Sequence, residues 1–188
     1  KNFTTDVQEQ YIIPERAISV IIKLLGDSDV KVYLSKTYAS FIINDIEFIT
    51  RLIGEKYPAY NSVIPLENEN ILLVNRLELL SAVKRMMLFS TSNSKQVKFS
   101  IGQNTLEVSA EDIDHGSNAR ENIQCKFSGD AMDIGFNTTY VNDILSHLAG
   151  EDRTFTLHSP TKAAIIEPVK KEENEDIMML LMPVRINN

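Results

Sequence analysis

The sequence has a single cysteine, Cys125, and no tryptophan. One thiol cannot close an internal disulfide, so the chain is not a small domain stapled by crosslinks, and its cysteine usage fits a reducing compartment. Cys125 reads as a small buried hydrophobe rather than a reactive thiol. Glycine (7) and proline (6) are sparse among 188 residues, which excludes a linker-like chain and predicts mostly regular structure. Basic charge is scarce too: 19 Lys and Arg stand against 26 Asp and Glu, a net charge of −7. That balance excludes a protein coated in phosphate-binding lysine, although not a local basic face on an acidic body. The longest apolar run, Ile177–Val184, falls far short of the roughly 18 residues of a membrane-spanning helix. No basic stretch followed by an apolar one opens the chain, so no signal peptide is expected.

Catalytic groups are equally thin. The three histidines, His115, His147 and His158, are separated, and no HExxH, CxxC, GxSxG or glycine-rich phosphate loop occurs. Asp112, Asp114 and His115 are three donors in one polar loop, a pattern that reads as a solvated turn rather than a metal clip. Gly26–Asp29, GDSD, is a helix stop and a turn without the further ligands of a calcium loop. No catalytic residue, metal ligand or cofactor is assigned, and the chain is not expected to be an enzyme.

What is present is a repeat. In the first copy Tyr11–Ile13 meets Pro14, which suits a first helical turn. Ile18, Ile21, Ile22 and Leu25 then recur at helical spacing until Gly26 and Asp27 stop the helix. The period next drops to two, through Val30, Val32 and Leu34, a turn at Ser35–Thr37, and Phe41 and Ile43. The last copy follows the same order. Ile134 and Phe136 form a strand, Asn137 or Thr138 caps a helix, and Tyr140, Val141, Ile144, Leu145 and Leu148 make its apolar stripe. Gly150 ends that helix, Phe155 and Leu157 alternate, and a turn leads to Ala164–Ile166. A third copy lies between them, with a strand at Ile71–Val74, a helix from Arg76 to about Phe89, Val97/Phe99/Ile101, a GQN turn, and Leu106/Val108.

Each copy is strand, helix and meander, recurring about every sixty residues. One copy is too small to bury its own faces, so copies must pack on one another, two to a domain. The expected fold is α+β, with helices on one face of antiparallel sheets and a pseudo-twofold relation inside each domain. Three copies make one and a half domains. Gly54, Pro58 and Pro65 break the pattern between Arg51 and Asn70, placing the joint there. Residues 55–188 are expected to form a complete domain, and 1–54 the second half of another.

With that layout, the chain resembles the C-terminal half of the bacterial sliding clamp, the β subunit of DNA polymerase III. The match is carried by YPAYNSVIP (Tyr57–Pro65) at the joint, DIGFNTTYVNDIL (Asp133–Leu145) opening the last helix, and LLMPVRI (Leu180–Ile186) near the terminus. The resemblance runs along essentially the whole chain and covers about half of the family's length. It implies the DNA-clamp fold, with 1–54 as the second half of the middle clamp domain and 55–188 as the complete C-terminal domain. It further implies a polymerase processivity factor that encircles duplex DNA without reading its sequence, in the bacterial cytoplasm at the nucleoid. Polymerase, clamp loader and repair proteins would be held through short linear peptides.

Carried over by position, the peptide-binding groove is expected to use Pro58, Val63, Asn137, Tyr140, Leu180, Met182, Pro183, Val184 and Arg185. Methionine adapts to varied ligands, proline stops further strand pairing, and an arginine among apolar residues can hold a carboxylate or carbonyl. Ser62 departs from the family, which often has a basic residue there, so one polar contact to a peptide is in doubt. Helices are expected to face DNA through Arg16, Lys23 and Lys84, with Arg76 and Arg85 as further positive charge on the second helix. Leu88 and Phe89 fall where two subunits of a homodimeric ring meet, near an acidic loop at Ser109–Glu121. This chain alone is not expected to close a ring. The alternative reading is a protein-interaction module built on the same repeat and acting without DNA.

Overall fold

The computed structural model describes residues 9–90, 95–148, 150–170, 173 and 176–186. The chain divides into two compact units, one ending at Ala59 and the other starting at Tyr60.

In the first unit the helix α1 spans Glu15–Leu25. Pro14 stands at its N-cap with φ −57°, already suited to the helix, and no side chain bonds the free amides there. Ala17 and Ile21 form its buried stripe, and it stops at Gly26, whose φ of +48° strains any residue with a Cβ. Three antiparallel strands follow, β1 (Val30–Leu34), β2 (Tyr38–Ile43) and β3 (Ile46–Arg51), in that spatial order. Val32 pairs with Phe41, and Phe41 with Phe48, so these three share the face toward α1. Asn44, at φ +53°, makes the tight turn between β2 and β3. The apolar stretch before α1 is not a regular strand; it makes one bridge, in which Ile53 N donates to Ile12 O at 2.9 Å.

The second unit holds the other two repeats. One runs β4 (Asn70–Asn75), α2 (Arg76–Met86), β5 (Gln96–Ile101), β6 (Thr105–Asp112) and β7 (Ser117–Phe127). The next runs β8 (Met132–Asn137), α3 (Thr138–His147), β9 (Asp152–Leu157), β10 (Ala164–Pro168) and β11 (Met179–Leu181). The strands form one antiparallel sheet in the order β11-β10-β9-β4-β7-β6-β5-β8. The repeats exchange strands at their junction: β4 pairs with β9 of the other repeat, and β8 pairs with β5. This is the pairing a pseudo-twofold axis requires. Helices α2 and α3 pack on each other, and Leu79, Val83, Met86, Val141 and Leu145 are buried in the core they share with the sheet. Phe99 and Phe155 occupy equivalent places in the two repeats, and their rings meet edge to face at 6.4 Å.

Capping repeats as well. The Asn75 side chain accepts from Leu77 N and Glu78 N, and that of Asn137 accepts from Thr139 N. At the other end of α3, Arg76 donates to Leu145 O at 2.9 Å and Gly150 O at 2.7 Å. Arg153 is buried beside it. Desolvation first, and then the Arg76 charge, push its guanidinium below the usual range.

Three expectations are corrected. The helix expected to reach Phe89 ends at Met86, because Leu88 and Phe89 bond back only three residues, to Arg85 O and Met86 O. The acidic loop expected at Ser109–Glu121 is mostly a hairpin, β6 turning at 113–116 into β7, with Ala110 opposite Ala119. Its alternating small and polar residues pair as strands in spite of their charge. Tyr140, expected in the apolar stripe of α3, points away from the core and is 60% exposed.

Candidate functional site

Apart from Val63, the residues of the second unit expected to line the groove lie on two stretches of chain joined by one backbone bridge. Val184 N donates to Gly135 O at 2.8 Å, tying the segment after β11 to β8. That bridge is the pseudo-symmetric counterpart of the β4–β7 pairing. It brings Met182, Pro183 and Arg185, which flank Val184, to the strand that leads into Asn137 and Tyr140. Gly135 permits this approach: a Cβ there would stand 2.8 Å from Val184 O and 3.0 Å from Ile186 Cγ1. Sequence reasoning did not single Gly135 out, although a glycine inside the strand Ile134–Phe136 is the signal of a close backbone approach.

The side chains have distinct stations. Met182 and Tyr140 are each 60% exposed, whereas Pro183 and Val184 are half-buried and Arg185 is exposed. Asn137 Oδ1 is engaged at 2.9 Å in the α3 cap. Leu180, paired with Ile165 in β11, is half-buried, while its neighbour Leu181 is sealed in the core. Val63 ends a short 3-10 turn at Tyr60–Val63 and is exposed. Pro58 belongs to the first unit, where it too is exposed.

Of the basic positions, Arg16 and Lys23 stand exposed on α1 and Lys84 on α2. None of the three bonds or ion-pairs with another described residue. Two further arginines are otherwise occupied. Arg76 is spent on the α3 terminus, and Arg85 holds Glu121 of β7 through two bonds of 2.6 and 2.9 Å, which raise its already high pKa. That ion pair lies in a shallow groove of about 550 Å³ between α2 and β7, lined also by Leu77, Glu78 and Ser81. Leu88 is 79% exposed, and Phe89 is half-buried against the core.

The polar hairpin tip explains itself without a ligand. Asp112 accepts the backbone N–H of His115 with one oxygen and meets its Nδ1 with the other at 2.9 Å. The pairing lowers the Asp112 pKa and raises that of His115. Among the described residues no cluster of three or more His, Cys, Asp or Glu could hold a metal ion. Nor is any helix among them long and apolar enough to cross a membrane.

Residues 61–185 match the family of the DNA polymerase III beta subunit, C-terminal domain. The chain belongs to this family. Among curated relatives, it is 24% identical over 95% of its length to the beta sliding clamp of Pseudomonas aeruginosa and 27% identical over 93% to that of Rickettsia bellii. It spans about half the length of these relatives, 48% and 49% respectively. Among solved structures, the sliding clamp of Bartonella birtlesii bound to griselimycin is 31% identical, with a TM-score of 0.86 over 94% of this chain and 47% of that one. The α+β class expected from the repeat and the clamp fold implied by the resemblance are thereby shown, with antiparallel sheets and helices as in the clamp structures.

Proposed function

We propose that this chain acts in DNA replication as part of a sliding clamp, a processivity factor that encloses duplex DNA and tethers polymerase. The observation that carries the reading is family membership over residues 61–185, joined to a strand-exchanged pair of repeats that superposes on a clamp 31% identical. Family membership weighs against a DNA-independent interaction module. In this reading residues 1–54 are the second half of a middle clamp domain and 55–188 the complete C-terminal one. The chain performs no chemistry of its own and works in the cytoplasm at the nucleoid.

Two surfaces do the work. Arg16, Lys23 and Lys84 face phosphate, free of competing partners among the described residues, while the net charge of −7 keeps the hold loose enough to slide. Tyr140 and Met182 offer exposed apolar side chains to a short peptide, with Asn137, Leu180, Pro183, Val184 and Arg185 on the same two stretches, and Val63 and Pro58 are the further positions assigned to it. Leu88 and Phe89 belong to the contact between subunits of a homodimeric ring. Polymerase, loader and repair proteins would be held there through short linear peptides.

Griselimycin, bound by the Bartonella birtlesii clamp, is the probe for the groove. Titrated into the isotope-labelled chain, it should shift the amides of Tyr140, Met182, Val184 and Arg185 saturably. Tyr140→Ala or Met182→Ala should each weaken binding about tenfold, as loss of a central contact does. Shifts confined to other residues would sink the groove assignment. Separately, Arg16→Glu, Lys23→Glu and Lys84→Glu should each reduce salt-sensitive retention on duplex DNA; unchanged retention would remove the residue from the DNA face.

A further inference from the structure

Six methionines occur in the chain, and the fold sorts them by access. Met86 is sealed in the core of the second unit at 2% exposure, and Met132 and Met179 are half-buried against that core. Met87 and Met178 reach the surface at 37% and 43%, and Met182 stands furthest out at 60%. Peroxide oxidation of a thioether follows exposure, so the most reactive methionine lies in the segment proposed for the peptide groove. Cys125, the single thiol, is buried, and desolvation raises its pKa, so little thiolate is available to compete.

The backbone holds Met182 in that place from both sides. Leu181, before it, is buried at 2% and pairs with Ala164 in the sheet. Pro183 follows, its φ fixed by the ring, and Val184 N then donates to Gly135 O at 2.8 Å. A proline also keeps the residue before it extended. Met182 is thus anchored one position before and two positions after, and it could leave the surface only by breaking one of those anchors.

We propose that Met182 is a reversible oxidation site, at which a hydroperoxide switches off peptide capture by the groove. The inference rests on the groove reading above. In the reaction the thioether sulfur attacks one peroxide oxygen: an S–O bond forms, the O–O bond breaks, and sulfur gives up two electrons. The proton of the transferred oxygen passes to the departing hydroxide or alkoxide, which leaves as water or an alcohol. The product is a sulfoxide, polar and chiral where the thioether was apolar and flexible. A peptide side chain docked on Met182 would then bury the S=O group without a hydrogen-bond partner, which weakens binding. Because the Met182 side chain is largely solvated, the change falls on the ligand and not on the fold.

Treatment of the 188-residue chain with hydrogen peroxide, followed by peptide mass spectrometry, tests the site. Met182 should gain one oxygen faster than Met178 and Met87, and Met86 should stay reduced while the chain is folded. Met178 or Met87 reacting first would overturn the proposal. After removal of peroxide, griselimycin should bind the oxidised chain about tenfold more weakly, and a methionine sulfoxide reductase should restore the affinity. The circular dichroism spectrum should be unchanged; a lost spectrum would place the effect in the fold and overturn the proposal. The double variant Met87→Leu/Met178→Leu leaves Met182 as the only exposed methionine, and it should lose affinity on oxidation to the same extent. Met182→Leu, whatever its starting affinity, should lose none. Loss of affinity on oxidation in Met182→Leu, its absence in the double variant, or affinity that the reductase fails to restore overturns the proposal. Met182→Ala tells the groove apart from the switch. Weaker binding by that variant with full binding by the oxidised chain defeats the switch and leaves the groove standing. Griselimycin indifferent to both defeats the groove, and the switch with it.

Discussion

The same strand–helix–meander repeat occurs in both units, yet the residue that leads the meander is fully buried in one and half-exposed in the other. Phe99 and Phe155 have 0% exposure and Val32 47%. All three follow a helix, lie in a strand of alternating pattern and pair antiparallel with the next strand. Local structure is therefore the property of one repeat, and burial is the property of two. A repeat forms its own hydrogen-bonded meander; in the second unit another repeat covers the far side of that apolar face and pairs with its first strand, and among the described residues of the first unit none does.

That contrast can be broken most forcefully at its centre. Phe155→Ala should cost about 3–5 kcal/mol, since it empties a fully packed site. Val32→Ala, measured under dilute conditions, should cost no more than about 1 kcal/mol. Urea unfolding of both variants checks this, and equal costs would mean the two faces are equally covered. Next in size is Gly135→Ala. The methyl would meet Val184 O at 2.8 Å, so overpacking of about 1–3 kcal/mol is expected. Amide exchange at Val184 should accelerate, and the first unit should be unaffected.

The helix starts sharpen the comparison at a smaller scale. Asn137→Ala and Asn75→Ala each remove a side chain that accepts from α-helical amides, and each should cost about 1 kcal/mol. Pro14→Ala should cost less, because no capping bond is lost there. Thermal unfolding of the three variants ranks them. The smallest effect concerns the hairpin tip. Asp112 is lowered by His115, so its contribution is present above the unfolded carboxylate value and fades as pH falls through the depressed one. His115 is raised by Asp112, so its contribution is complete below the unfolded imidazole value and fades as pH rises through the raised one. The pair should accordingly be strongest between about pH 4 and 6.5. An NMR titration should show the His115 pKa falling in Asp112→Asn, and no change there would mean the contact is not formed in solution.

Much of the fold was legible because it rests on short-range pattern. Helical spacing at Ile18, Ile21 and Leu25, alternation at Val30, Val32 and Leu34, and stops at Gly26 and Gly150 all correspond to observed elements. The errors fell where pattern competes with partners. The charged stretch Ser109–Glu121 paired as strands because its cross-strand neighbours, not its composition, decide. Tyr140 fits the helical stripe by spacing, but the sheet and α2 already fill the core beneath Val141 and Leu145. For the candidate site, motif order pointed to Tyr140, Met182 and Arg185. It did not show that Gly135 carries the bridge joining their two stretches, nor that Arg76 and Arg85 are already engaged inside the domain.

By itself the sequence determined the repeat, the helix boundaries set by proline, asparagine and glycine, and the acidic balance that any DNA contact must live with. These depend on backbone preference and on residues a few positions apart. Only the tertiary structure decided which copies exchange strands, which arginines remain free, and which apolar residues stay exposed. Those outcomes depend on contacts between residues far apart in the chain, such as Leu72 with Phe155 and Gly135 with Val184, for which no local pattern carries a signal.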